Sequence, residues 1–323
     1  MSTVLISALP LFSLVGLGYF AKRYRVLHLT DSDVLSRFVM DITLPAFIID
    51  ALLSNKIHSS YAGLPLVIWT AQIAVFVLAI AISKLLRYGP KQTGTTALVA
   101  TFANTGYLGY PMTMALFPTM MPATVIMDQI GMGTPLYPTA GMLGSIYGRS
   151  TGQTLRQSVV RVLRSPLFVA MIAGLIIRLI PWPGPPATGN WSLPYSVAAA
   201  VAHGIGVSLH YIAGATVPVV LISLGIILRP SALRQCLPQV GVIAILKLVV
   251  APIVGFLVAR HVLGIHDHIL TAVCVLECSL PPSANATLLS GQYDMDGTLG
   301  AAAFFALTLG SALTIPLMLA ILH

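Results

Sequence analysis

Two helix-breaking runs inside apolar stretches constrain this chain more than any other feature. The first is Thr101-Phe102-Ala103-Asn104-Thr105-Gly106-Tyr107-Leu108-Gly109-Tyr110, closed by Pro111; the second is Ser279-Leu280-Pro281-Pro282-Ser283-Ala284-Asn285. A helix in lipid satisfies its own backbone. Breaking it frees N–H and C=O groups that are costly in hydrocarbon, so a break at membrane depth is tolerated only where it lines a cavity or is buried in protein. Two breaks in matching halves of one chain are the pattern of a secondary transporter with its substrate site at the bilayer midplane.

Composition places these stretches in a membrane. Of 323 residues, 57% are hydrophobic and 8% charged, with mean hydropathy +0.91; soluble domains carry roughly 25% charged residues. Ten apolar spans, near the ~20 residues that cross a bilayer, run roughly 4–20, 34–53, 64–84, 94–116, 122–147, 166–181, 196–228, 240–260, 267–291 and 298–321. The first is not a signal peptide, because nothing basic precedes it while Lys22, Arg23 and Arg25 follow. The seventh is long enough to be kinked. The lipid bilayer is thus an obligatory partner.

Basic residues set the orientation. One set of loops holds twelve: Lys22, Arg23, Arg25, Lys84, Arg87, Lys91, Arg149, Arg156, Arg161, Arg164, Arg229 and Arg234. The opposite set holds Lys56, Arg178 and Arg260, and only Arg37 and Lys247 lie within spans. The positive-inside rule then puts both termini outside. The net charge of +8 is explained by this bias and needs no nucleic-acid partner. Trp69, Trp182 and Trp191 fall near outer ends, as an interfacial belt does. The inner connection between spans five and six reads as a basic amphipathic helix in the headgroup layer, Leu155, Val159, Val160 and Leu163 set against Arg156, Arg161 and Arg164. Pro181-Trp182-Pro183-Gly184-Pro185-Pro186 reads as a stiff outer loop, and Asn190-Trp191-Ser192 matches a glycosylation sequon that bears only on a secretory context.

An internal repeat is visible. Thr43-Leu44-Pro45-Ala46 in span two has a counterpart, Thr216-Val217-Pro218-Val219, in span seven, offset by 173 residues; the same offset carries Leu108 and Gly109 onto Pro281 and Pro282. Each copy has five spans, an odd number, so the copies insert in opposite senses. The expected fold class is an all-α polytopic membrane protein of ten transmembrane helices in two inverted five-helix repeats. The first is residues 1–165 with the inner linker and the second is 166–323, with helices four and nine broken and crossing at the midplane. Helix N-termini at such a crossing carry about +0.5 charge and unpaired N–H groups, which suit an anion. Candidate substrate-binding residues are Asn104, Thr105, Gly106, Pro111, Pro281, Pro282 and Asn285; Gly106 and Gly109 would let the backbone approach a ligand.

Ionisable groups within spans read as functional by default. Glu277, the chain's only glutamate, lies one turn before the second break; Asp128, Lys247 and the uncharged Gln72 are the other ion-coupling candidates. Glu277 and Asp128 could hold a sodium ion with freed carbonyls or carry a proton; alternatively, Lys247 pairs with a carboxylate and only fixes packing. Asp41 is four residues from Arg37, the spacing of a local ion pair. Asp50 lies near a wet outer end, Asp294 and Asp296 in an inner loop, and His203 and His210 read as packing or interface residues. Cys236, Cys274 and Cys278 read as packing residues.

The chain resembles a compact bacterial member of the auxin efflux carrier family, which includes malate and malonate permeases and is more distantly related to bile-acid:sodium symporters. Asn104 to Pro111 resembles the family's fourth-helix pattern, and Glu277 to Ala286, with Gln292-Tyr293, its ninth. Thr43 to Ala46, Val217-Pro218 through Gly225, and Thr314-Ile315-Pro316 fit helices two, seven and ten. The resemblance implies a scaffold of helices 1, 2, 6 and 7, a mobile transport domain of helices 3–5 and 8–10, and a homodimer in the cell membrane, the inner one in a bacterium. It also implies elevator-type carriage of a small organic anion, a carboxylate or dicarboxylate such as malonate or malate. Asn104 matches the crossover asparagine that faces the carboxylate. By the same resemblance Glu277, Asn104, Thr105 and Asp128 form a candidate sodium site. No other cofactor is implied.

Two other function classes compete. An intramembrane enzyme would want paired aspartate clusters or H-E-x-x-H, and neither occurs. A receptor or sensor on a transporter fold would bind an anion without flux.

Overall fold

In the computed structural model, the described residues are 2–149, 155–180, 193–229, 233–234 and 236–321. Trp182, Trp191, the proline-rich outer loop and the sequon lie outside them. Apolar runs form helices that repeatedly begin on a proline, whose missing N–H would be unpaired there anyway and whose φ suits a first turn; Pro65, Pro90 and Pro166 are examples.

The helices are α1 (Ser2–Arg23), α2 (Asp31–Phe38), α3 (Leu44–Ser54), α4 (Leu64–Leu85), α5 (Pro90–Thr101), α6 (Tyr110–Leu116), α7 (Met121–Ile126), α8 (Thr134–Tyr147) and α9 (Leu155–Leu163). There follow α10 (Pro166–Leu179), α11 (Leu193–Gly214), α12 (Thr216–Ile227), α13 (Leu237–Ile245), α14 (Ala251–Leu257), α15 (His268–Ser279), α16 (Ala284–Gln292) and α17 (Gly297–Ile321). Among the described residues there is no strand, only an antiparallel bridge between Ala103 and Pro282.

Wide π turns join α2 to α3 at Val39–Thr43, lead into α6 at Thr105–Gly109, join α7 to α8 at Met127–Gly133 and α13 to α14 at Leu246–Val250, and extend α14 at Val258–Val262. The first four have a common local cause. Each precedes a proline, at Pro45, Pro111, Pro135 and Pro252. A proline ring clashes with the carbonyl four residues earlier. Those carbonyls belong to Asp41, Tyr107, Gly131 and Leu248, all inside the wide turns. Pro10, Pro138 and Pro316 lie inside uninterrupted helices, so proline alone does not specify the turn.

A π turn closes i→i+5 bonds, so it destroys the i,i+4 stacking that Arg37 and Asp41 would need. That corrects the expected local ion pair: among the described residues none joins them, and both side chains are exposed. Asp50 instead meets His210 Nδ1 at 3.2 Å, tying α3 to α11.

Among the described residues four helical runs are by themselves long and apolar enough to cross a membrane: Ser59–Leu85, His203–Ile227, Leu237–Val262 and Gly297–Leu319. A fifth arises if Arg156–Leu163 and Pro166–Leu179, bent by 53°, are taken together. The protein is thus a multi-pass membrane protein. The long seventh stretch runs through α11 and α12, separated only by Ala215.

The most extensive packing falls into two groups, with smaller contacts between them through α1 on α6 and α17 and α3 on α7. α1 lies on α12, α3 on α10 and α11, and α2 on α12. Gly18 allows the first contact, since a Cβ there would collide with the Ile222 carbonyl, and Lys22 Nζ caps the end of α12 through the Ile226 carbonyl at 2.6 Å. In the second group α4 packs on α5 and α14, α14 on α15, α16 and α15 on α17, and α5 on α8. Lys91 Nζ reaches Asp294 Oδ1 at 2.8 Å, and the ammonium holds that exposed carboxyl below the usual carboxylate range.

Candidate functional site

The two interruptions meet. α5 stops at Thr101, where Phe102 turns extended, and α15 stops at Ser279, where Leu280 does the same. The strand-like gaps then pair. Asn104 N–H donates to the Pro281 carbonyl at 2.9 Å, and Ser283 N–H to the Phe102 carbonyl at 2.8 Å. The sequence makes this inexpensive, because Pro281 and Pro282 have no N–H to satisfy. Ala103 N–H leans on the Met132 sulfur at 3.4 Å. The last carbonyl of α5, on Thr101, accepts from Lys247 Nζ at 3.1 Å. A cation at a helix C-terminus opposes the negative end of its dipole.

A cavity of about 200 Å³ lies against the gaps. Asn104, Thr105, Gly106, Asp128 and Asn285 line it, together with Gln129, Met132 and Tyr137. Gly106 has open space where a Cβ would point. Asn104 is 2% exposed and its Nδ2 has no hydrogen-bond partner among the described residues. Asp128, on the wide turn Met127–Gly133, is held by three side chains: Thr105 Oγ1, Tyr110 OH at 2.7 Å and Gln129 Nε2 at 2.5 Å. A larger vestibule of about 560 Å³ adjoins the cavity through Met40, Asp41, Tyr107 and Asn285, and carries Arg37 and Arg229.

Six expected site residues are not among those lining this cavity: Pro111, Pro281, Pro282, Glu277, Gln72 and Lys247. Pro111 follows the wide turn Thr105–Gly109, and Pro281 and Pro282 form the bridge between gaps. Gln72 reaches the cavity only through Met132, donating to its sulfur at 3.0 Å.

Lys247 has no carboxylate partner among the described residues, which corrects the packing alternative; its acceptor is main chain. Glu277 is fully buried against Gly109, where an added Cβ would sit 2.9 Å from Oε2. Its Oε1 accepts from Thr113 Oγ1 at 3.2 Å, Thr113 accepts from Thr124 at 3.1 Å, and Oε2 has no partner among the described residues. Gly109 therefore serves helix packing rather than approach of a ligand.

The four residues expected to hold sodium are divided. Asn104, Thr105 and Asp128 line the cavity while Glu277 bonds to Thr113, and the Thr105 hydroxyl is already committed to Asp128. Among the described residues no three His, Cys, Asp or Glu side chains group to hold a metal ion.

Sequence reasoning missed Tyr110 and Gln129, which complete the Asp128 cluster, and Asp41 as a wall of the cavity. The prolines after the wide turns were the available signal.

Comparison with known proteins adds a family. The profile described as "Membrane transport protein" matches residues 3–143 and 148–319. A protein of Methanocaldococcus jannaschii named "Uncharacterized transporter" is 27% identical over 310 residues, covering 94% of each chain. Another so named, from Methanothermobacter thermautotrophicus, is 26% identical over 313 residues and 96% of each chain. A Rhizobium meliloti protein named "Putative malonate transporter" is 23% identical over 316 residues, covering 95% of this chain and 92% of its own.

Proposed function

The chain belongs to the membrane transport protein family, the auxin efflux carrier type that its motifs resemble, and from that premise we propose that it is a secondary active transporter of a small organic anion. The substrate is a carboxylate or dicarboxylate of the malonate or malate class, bound where the gaps of broken helices four and nine pair. One observation carries the reading: the Asn104 amide is a buried donor with no partner among the described residues, facing a cavity beside two paired helix breaks. A buried donor left unpaired costs about 1–3 kcal/mol, which a carboxylate oxygen arriving there recovers. Asn285 lies across the same cavity and supplies a second amide.

The cavity also carries Asp128 and Asp41 and no lysine or arginine in its lining. Two like charges about 4 Å apart cost roughly 4 kcal/mol at an effective dielectric of 20. An anion therefore enters with a cation or a proton, which makes the carrier a symporter. We assign the coupling carboxylate to Glu277, whose Oε2 is buried without a partner among the described residues, with Lys247 and Gln72 supporting the gap around it.

The architecture in this reading is ten membrane helices in two inverted repeats. The first packing group, helices 1, 2, 6 and 7, is the scaffold, and the second, helices 3–5 and 8–10, moves as an elevator. Thr43 and Thr216, both fully buried just ahead of Pro45 and Pro218, support the repeat. The vestibule holding Arg37 and Arg229 opens on the inner side, both termini lie outside, and in a bacterium the carrier sits in the inner membrane. Every residue of α11 from His203 to Ser208 is exposed, Ile205 and Val207 with Gly204 and Gly206; apolar side chains among small residues suit helix contact in lipid, and we place the homodimer contact there.

The test is uptake of labelled malonate and malate into proteoliposomes, with indole-3-acetate as control and sodium and proton gradients imposed separately. Saturable flux driven by one gradient supports the carrier and names the ion. Saturable binding with no flux under either gradient would replace it with a receptor.

A further inference from the structure

The inner amphipathic helix α9 does more than connect the two halves of the chain. Its exposed face carries Val159, Val160 and Leu163, 46%, 37% and 53% exposed, flanked by the exposed Arg156 and Arg164. Residues three, four and seven apart share one side of a helix, so these five form a single face. The arginines thus do not oppose the apolar residues, as helical patterning suggested, but flank them. Arg161 points elsewhere, its guanidinium 5.2 Å from the centre of the Tyr137 ring. The opposite face, Ser158 and Val162, is buried.

An apolar stripe flanked by arginines fits the boundary between acyl chains and headgroups: the valines and leucine enter the acyl layer while the guanidiniums stay among phosphates. Charge complementarity selects a membrane bearing anionic lipid. The far end of the same helix is part of the substrate cavity. Val162, and Ser165, Pro166 and Leu167 just after the bend, line it alongside Asn104 and Asp128. Ser165 Oγ caps α10 at Phe168 N–H, 3.2 Å away, which holds the bend in place. α9 also packs on α8, which carries Tyr137, and on α10, so it touches both packing groups.

We propose that α9 is a binding surface for anionic lipid headgroups, and that seating it in the headgroup layer sets the position of the cavity's inner wall. The binding surface stands by itself; the effect on flux rests on the transporter reading above.

The experiment uses the full chain in phosphatidylcholine bilayers with and without phosphatidylglycerol. Amide hydrogen exchange over residues 155–164 is followed first, because it needs no transport. Exchange is expected to slow when phosphatidylglycerol is added, by about fivefold for each arginine engaged. Arg156→Gln with Arg164→Gln abolishes the slowing, and Arg156→Lys with Arg164→Lys keeps it. Equal exchange in both lipids overturns the binding surface. Malonate uptake is then measured in the same lipids: the wild type responds to phosphatidylglycerol and the double glutamine variant keeps the phosphatidylcholine rate in both. Lipid-dependent exchange with lipid-independent uptake overturns the control of the cavity wall. Absence of all uptake counts against the transporter reading and leaves the exchange result standing.

Discussion

The ammonium of Lys247 donates to the main-chain carbonyl of Thr101 at 3.1 Å, a contact from the wide turn of the eighth helical stretch to the point where the fourth one stops. Lys247 is 2% exposed. A charge this deep costs several kcal/mol in desolvation, while its hydrogen bond returns about 1.5–3 kcal/mol. The desolvation term wins, so the residue is a poor stabiliser, and its role is expected in transport rather than in folding.

Lys247→Met is therefore expected to leave the thermal midpoint in detergent unchanged or raised, while lowering malonate uptake at least tenfold. Wild-type uptake by this variant would show that the cap on α5 has no part in transport.

Asn104→Ala removes an amide nitrogen that bonds to nothing among the described residues, so its cost in stability is expected to stay below about 1 kcal/mol. Substrate affinity is expected to fall at least tenfold, read by calorimetric titration with malonate on folded, monodisperse protein. Unchanged affinity would move the substrate away from the gap.

Glu277→Gln keeps the shape beside Gly109 and the hydrogen bond from Thr113, which is 3.2 Å long, and removes only the ionisable function. Uptake is expected to lose its dependence on the driving gradient, leaving slow equilibration down the substrate's own gradient. A variant that still concentrates substrate against that gradient excludes Glu277 as the coupling group.

Gly106 and Gly109 separate cavity from packing. A Cβ on Gly109 would sit 2.9 Å from both Glu277 Oε2 and Leu280 Cδ1, so Gly109→Ala is expected to cost about 1–3 kcal/mol, as overpacking does. Nothing lies within 4 Å of a Cβ on Gly106, so Gly106→Ala is expected to be neutral in stability and to weaken substrate binding by narrowing the cavity. Thermal unfolding and titration of the two variants side by side check the contrast; equal thermal midpoints would contradict the packing at Gly109.

Much of the architecture follows from local rules. Long apolar runs with little charge form helices in lipid because every backbone group is then satisfied within the segment. Gly106, Gly109, Pro281 and Pro282 mark where that regularity ends. The prolines at 45, 111, 135 and 252 each follow a wide turn and clash with a carbonyl inside it, but Pro10, Pro138 and Pro316 sit in unbroken helices, so the tertiary structure decides which prolines open a turn.

The choice of partners is another matter. The sequence puts Asp128, Glu277, Lys247 and Gln72 inside apolar segments, but only packing decides that Asp128 meets Thr105 and Tyr110, that Glu277 bonds to Thr113, and that Lys247 answers a backbone carbonyl. Arg37 and Asp41 have the spacing of a pair, and a wide turn between them undoes it. Helix formation depends on hydrogen bonds a few residues apart, so it can be read along the chain. Which polar groups share a cavity depends on how each helix is rotated and where it is interrupted, and those are settled by contacts between residues more than a hundred positions apart, such as Asn104 with Pro281.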